Sequence, residues 1–216
     1  MKNYKKNLHL LKENNVYSED MEHDACGVGI IASTEGKKSR KVVEYGIEAL
    51  KAVWHRGAVD ADGKTGDGAG IHVEIPKDFF IEKIEVTGHT HDNSEICVGM
   101  IFLPRNDYAA QESCKTIVES ELTKNDFSIY GWRQVPVNPK VLGEKAFQTM
   151  PEIIQVLFKP YNPELTNKDL ERKIYETRRK IENEAFKKSL NNFYICSLSS
   201  KSIIYKGMFL AEAISD

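Results

Sequence analysis

The side chain best suited to covalent chemistry is a thiol in an unusual setting. The stretch Asp24-Ala25-Cys26-Gly27-Val28-Gly29-Ile30-Ile31-Ala32 sets a cysteine at the head of an apolar run. A thiolate there can attack an electrophilic carbon and form a covalent intermediate. Read blandly, Cys26 is one more small packing residue, which is what most free cysteines are. Other stretches also carry groups that can do chemistry: His55-Arg56-Gly57, the loop from Asp60 to Gly70, and His89-Thr90-His91-Asp92. The two histidines of the last stretch invite a metal reading, but they lie between Gly88 and Asn93 and lack a third ligand at structural spacing, so a solvated loop is expected and metal is not. His55 and His72 have no evident partner in the sequence and read as hydrogen-bonded structural histidines.

These groups must be held by regular elements. Val28, Ile30 and Ile31 alternate with small residues, which predicts a strand buried on both faces with Cys26 at its mouth. Ser39 is placed to cap a helix whose Val43, Ile47, Leu50 and Trp54 share a face and which ends near His55. The segment from Asp60 to Gly70 is too rich in Gly and Asp for helix or strand and reads as a functional loop. Its Gly66-x-Gly68-x-Gly70 follows a helix and leads into the strand Ile71–Ile75, the wrong context for a phosphate cradle.

Further on, the pattern alternates without repeats or linkers. Strands are expected at Ile96–Leu103, Phe127–Val137 and Ile153–Phe158, and helices carrying Ala110, Cys114, Ile117, Val118 and Leu122, and Leu170, Ile174, Ile181 and Ala185. Cys97 and Cys114 are packing residues in this reading. Arg178-Arg179-Lys180 is read as a solvated face, and Phe193–Leu198 with Ser202–Tyr205 as a hairpin. Residues 1–25 are polar, without a sustained period, and read as a leader that packs poorly and forms no element of the fold, its end suiting a processed junction as well as an ordinary linker. At the other end the chain stops at Asp216 without a terminating element, as if cut short.

Composition narrows the partners. With 30 basic and 32 acidic side chains intermixed and a formal net charge of -2, no field favours nucleic acid or an anionic membrane. The four cysteines stand apart with no C-x-x-C pair, against zinc, iron–sulfur ligation or a disulfide framework, and in favour of a reducing cytoplasm. No apolar run approaches the roughly 20 residues that span a bilayer.

Taken together, Cys26-Gly27-Val28-Gly29, then His55-Arg56-Gly57, then a Gly-rich loop resemble the class II glutamine amidotransferases. Ala61–Gly70, Tyr130-Gly131-Trp132-Arg133-Gln134-Val135-Pro136, Val141-Leu142-Gly143 and Phe193–Ser199 narrow the resemblance to the large subunits of glutamate synthases. That resemblance implies an α+β N-terminal nucleophile (Ntn) hydrolase-like fold, a four-layer α/β/β/α sandwich with two mainly antiparallel sheets, here incomplete. It implies cleavage between Ala25 and Cys26, so that residues 1–25 are a propeptide and 26–216 the N-terminal part of the amidotransferase domain. Cys26 is then the catalytic nucleophile, and its freed α-amino group the general base. Arg56, Gly27 and Asp67 take supporting roles.

The implied reaction is hydrolysis of glutamine to glutamate and ammonia for glutamate biosynthesis. The substrate-binding groups and oxyanion donors are expected beyond Asp216, which makes the isolated chain inactive or very weakly active. No cofactor is expected in this chain; flavin (FMN), an iron–sulfur cluster and a small electron-donating subunit go with later domains of the family protein. The alternatives are a different class II amidotransferase, or a non-catalytic interaction or structural fragment.

Overall fold

The computed structural model describes residues 2–14, 26–54, 57–165 and 167–215. They form six helices, α1 Lys2–Asn14, α2 Arg40–Ala52, α3 Lys77–Val86, α4 Tyr108–Lys124, α5 Glu144–Thr149 and α6 Asn167–Lys187. Six strands accompany them: β1 Ala69–Glu74, β2 Cys97–Leu103, β3 Phe127–Gln134, β4 Glu152–Pro160, β5 Tyr194–Ser199 and β6 Ser202–Gly207. Short 3₁₀ turns occupy Pro139–Val141 and Ala211–Ser215. Every strand pairing is antiparallel, in a four-stranded sheet of order β3-β4-β2-β5 and a separate pair β1-β6. Mixed helix and antiparallel sheet is the α+β class expected.

Alternation along β4 explains how the sheet is covered. Ile154, Val156 and Phe158 face a cluster with Ile117, Val118 and Leu122 of α4 and Leu170, Ile174 and Ile181 of α6. Leu157 faces the other way, into a cluster with Phe80 and Ile84 of α3 and Ile203 of β6. A period of two therefore puts helices on one face and the β1-β6 pair with α3 on the other. Burial of each large side chain stabilises by roughly 1.5–3 kcal/mol. Phe127 and Phe158 add an edge-to-face contact with ring centroids 5.2 Å apart. Gly99 is required mid-strand, because a Cβ there would lie 2.6 Å from both Leu198 Cδ1 and Val156 Cγ1.

Helix starts follow local chemistry. Ser39 Oγ accepts from the Lys41 amide at 3.2 Å and opens α2, as expected, and Asp107 Oδ1 accepts from the Ala110 amide at 2.9 Å and opens α4.

Four expectations change. Residues 26–32 pair with no strand among the described residues, and Val28 and Ile30 are 87 % and 88 % exposed. An apolar alternation becomes a strand only where a free edge receives it. The leader, read as no element of the fold, carries α1, though the described side chains of that helix are exposed; lysines and leucines are good helix formers even without a buried face.

The expected hairpin is not one, since β5 lies in the four-stranded sheet and β6 pairs with β1. Its turn is held instead by Glu171 of α6, which accepts from Ser200 N and Ser200 Oγ, both at 2.7 Å, and from Ser199 Oγ at 3.0 Å. Those bonds send the chain from one sheet to the other. Finally, Arg179 and Lys180 are exposed, as a solvated face requires, but Arg178 is partly buried. Arg178 donates to Ile195 O at 2.7 Å and ties α6 to β5.

Candidate active site

Cys26 is exposed, whereas Cys97, Cys114 and Cys196 are buried. Burial pushes the Cys114 thiol up to about 11, and it raises those of Cys97 and Cys196 as well. Those three thiols stay protonated and enclosed. Cys26 and Gly27 instead line a large cleft of about 1780 Å³, whose wall includes Trp54, Val59, Asp67 and Leu142. The structure thus brings Cys26, Gly27 and Asp67 to one cavity. His55 and Arg56 lie outside the described residues.

The loop before β1 builds one side of that cavity. It folds back on itself through a bridge between Val59 and Gly66, with Asp60 N donating to Thr65 O at 2.9 Å and Asp67 N to Ala58 O at 3.1 Å. Asp62 holds its centre. Its carboxylate accepts from the Thr65 hydroxyl at 2.6 Å, the Thr65 amide at 2.7 Å and the Lys64 amide at 2.9 Å. Those three bonds, the hydroxyl first, hold the Asp62 carboxyl down at about 2.

The glycines of this loop answer to packing. A Cβ at Gly66 would lie 2.6 Å from Phe209 O, and one at Gly70 2.7 Å from Lys206 Cβ. Gly68 has φ +132, a left-handed backbone open to glycine. The run therefore lies against the end of β6 and the segment that leaves it. That requirement, and not a phosphate, accounts for the glycine spacing.

The loop also docks on α5, a contact the sequence reading missed. Thr65 is only 3 % exposed, its hydroxyl accepting from the Ala146 amide at 3.4 Å while donating to Asp62. Lys145 Nζ reaches Asp60 Oδ2 at 2.7 Å, and that bond lowers the Asp60 pKa. Gly143 is the point of closest approach, since a Cβ there would lie 2.2 Å from both Asp62 Oδ2 and Thr65 Oγ1. The three-residue spacing of Asp62 and Thr65 is a local capping signal that the sequence does display.

His72, His89 and His91 have protein partners. His91 Nε2 lies 2.9 Å from Ser94 O, and His89 Nδ1 lies 3.1 Å from Thr87 Oγ1. His72 Nε2 lies 2.7 Å from Ser202 Oγ across the β1-β6 pair, the partner that its sequence context did not disclose. Among the described residues, no group of three or more His, Cys, Asp or Glu side chains is placed to hold a metal ion. Nor is any described helix long and apolar enough to cross a membrane.

Comparison with known families decides which family the chain belongs to. The family model for class II glutamine amidotransferases matches residues 26–216, so the match begins at Cys26 itself. The chain belongs to the class II glutamine amidotransferase family. This amidotransferase is 53 % identical over 212 residues to the large chain of a glutamate synthase [NADPH] from Azospirillum brasilense, covering 98 % of the chain and 14 % of that relative. It is 40 % identical over 195 residues to the ferredoxin-dependent glutamate synthase 1 of Arabidopsis thaliana, covering 89 % of the chain and 12 % of the relative. The Spinacia oleracea ferredoxin-dependent enzyme is 38 % identical over 210 residues, covering 95 % of the amidotransferase chain and 13 % of the relative. The chain thus spans a small part of the length of these relatives.

Proposed function

We propose that this chain is the glutaminase part of a glutamate synthase large chain, with Cys26 as its nucleophile. The observation that carries the reading is a single exposed cysteine on an open cleft at the residue where the family match starts. Identity to glutamate synthases from a bacterium and from plants supports the narrower assignment.

In this reading, cleavage after Ala25 removes the leader and frees the α-amino group of Cys26. An α-amine has a reference pKa of about 7.7–8, close enough to neutrality to accept the thiol proton directly or through water. The thiolate attacks the side-chain amide carbon of glutamine. The resulting oxyanion collapses, the carbon–nitrogen bond breaks, and the amide nitrogen takes the proton held by the amine and departs as ammonia. Water then hydrolyses the glutamyl thioester to glutamate and restores the thiol. Each oxyanion donor in such a site is worth about 3 kcal/mol.

Gly27, without a side chain, leaves room for close approach beside the sulfur, and Asp67 takes a shaping role in the same cleft. Arg56 takes a supporting role in this reading, one suited to an always-charged guanidinium with several donors. The two antiparallel sheets, with α4 and α6 on one side and α2 against β1 on the other, suit a four-layer Ntn sandwich. Flavin, iron–sulfur cluster and electron-donating subunit belong to other parts of the family protein, and its compartment is the cytoplasm.

N-terminal sequencing of the full-length gene product, combined with an ammonia-release assay on glutamine, tests the reading. The expected mature protein begins Cys-Gly-Val-Gly and releases ammonia. A protein that keeps Met1 to Ala25 and still hydrolyses glutamine at full rate would sink the amine-as-base mechanism.

A further inference from the structure

The contact between the Asp60–Asp67 loop and α5 joins two segments far apart in sequence at the edge of the Cys26 cleft. Both contribute to its lining, the loop through Val59, Gly63 and Asp67 and the other segment through Leu142, Ala146 and Met150. Beside the exposed Lys145–Asp60 ion pair, a short buried relay holds them together. The Ala146 amide donates to Thr65 Oγ1, and Thr65 Oγ1 donates to Asp62 Oδ2. The Asp62 carboxylate also accepts from the Lys64 and Thr65 amides, so its charge is spread over groups that the loop itself supplies. The helix contributes no cap of its own here: its N-cap is Gly143, whose lack of a side chain is what lets Asp62 and Thr65 sit against it.

At its other end the loop is pinned by Gly66 against the Phe209 carbonyl, and it runs straight into the β1-β6 pair. Asp67 lies between Gly66 and the start of β1, its amide donating to Ala58 O at 3.1 Å.

We propose that Thr65, with Asp62 and Gly143, is a latch that positions the wall of the Cys26 cleft for the side chain of glutamine. Thr65 is a positioning residue, because it acts through the loop and lines no part of the cavity itself. The proposal rests on the glutaminase reading of that cleft. Its chemistry is specific: the residue at 65 must donate to a carboxylate and accept from an amide at once, in a buried place. Serine can do both, and valine, of nearly the same shape, can do neither. Displacing one wall of a site weakens its grip on the substrate in ground state and transition state alike, which raises KM more than it lowers kcat and leaves the intrinsic reactivity of the thiol as it was.

Steady-state glutamine hydrolysis by the full-length gene product, comparing wild type, Thr65→Val and Thr65→Ser, tests the latch. Alkylation of Cys26 by iodoacetamide, which needs no substrate pocket, serves as the control. The latch predicts that Thr65→Val raises KM about tenfold with kcat changed less than KM. It also predicts wild-type iodoacetamide reactivity at Cys26 and return of KM towards wild type in Thr65→Ser. Unchanged KM in Thr65→Val, a KM effect that serine does not rescue, or equal loss of iodoacetamide labelling and activity would each overturn the latch and leave the glutaminase reading intact. A wild-type protein that does not hydrolyse glutamine would overturn that reading, and the latch with it.

Discussion

The four-stranded sheet and the surroundings of Cys26 treat the same residue types in opposite ways. In and around the sheet, Cys97, Cys114 and Cys196 are enclosed by aliphatic side chains, and burial raises their thiols. Along the cleft, Cys26 is exposed and its neighbours Val28 and Ile30 are 87 % and 88 % exposed. Glycine differs too. Gly99 makes room for two hydrocarbon side chains, whereas Gly66 and Gly143 let backbone and polar groups come into contact. The sheet is held by apolar burial and the cleft wall by directed hydrogen bonds. The first kind of region tolerates shape-conserving exchange; the second fails when one donor or acceptor is lost.

That contrast can be broken most severely at the thiol. Cys26→Ala should lower glutamine hydrolysis by about 10⁴-fold or more, while Cys114→Ala should leave turnover near wild type; comparable losses in both would erase the distinction between the regions. Next in size, Phe158→Ala removes a ring from the centre of the sheet and should destabilise by about 3–5 kcal/mol in urea unfolding. A loss under about 1 kcal/mol would mean that the sheet is not the main source of cooperativity.

A smaller effect is expected at the polar contact. Gly143→Ala would set a methyl group within 2.5 Å of the Thr65 amide as well as against two side-chain oxygens, so backbone must move. Overpacking of this kind should destabilise by about 1–3 kcal/mol. Proteolytic cleavage should appear first within residues 58–67, and a wild-type cleavage pattern would show that the contact is slack.

Acid acts on the same place with a defined sign. Asp62 has a folded-state pKa lowered from the ordinary 3.8 to about 2. Its contribution is therefore fully present above the unfolded value and is lost as pH falls through about 2. Hydrogen exchange at the Thr65 amide should stay slow at pH 4 relative to the unfolded rate and lose its protection near pH 2, with the step moved to higher pH in Thr65→Val, which keeps the backbone bonds to Asp62 but lacks the hydroxyl that chiefly lowers its pKa. Protection that is already gone at pH 4 would contradict the assignment.

The smallest effect is expected in the sheet's one polar defect among the described residues. Gln155 is fully buried, with Oε1 accepting from Arg133 at 2.8 Å and Nε2 without a partner. Gln155→Met relieves the unpaired donor but removes an acceptor from Arg133. The two changes nearly offset, so stability should move by less than about 1 kcal/mol. A large loss would show that the Arg133 bond matters more than the orphaned amide.

How far the sequence could be read follows the same division. Strands β2 and β4 and helices α4 and α6 were legible because period two or 3.6 in apolar residues reports directly on one buried face. The strand expected from Cys26 failed because the same alternation does not say whether a neighbouring edge is free to receive it. β5 and β6 looked like a hairpin because only adjacency was visible. The decisive partner of their turn, Glu171, lies 28 residues before Ser199.

At the site, Cys26 could be singled out by its position ahead of a glycine-spaced apolar run, and Asp67 by its place in the loop. Thr65 and Gly143 could not be joined. The bond between Thr65 and Ala146 spans 81 residues, and no local pattern couples positions so far apart. Glycine in Val141-Leu142-Gly143 gave no hint that its missing side chain was needed by an oxygen of another loop.

The account stands on Cys26 as the one thiol that recognises glutamine. Its most direct test is peptide mapping of the full-length protein after reaction with a glutamine-like chloroketone, with and without glutamine as protectant. A single adduct on the peptide that begins at Cys26, suppressed by glutamine, is the predicted result. Adducts spread over Cys97, Cys114 and Cys196, or labelling of Cys26 that glutamine leaves unchanged, would contradict it.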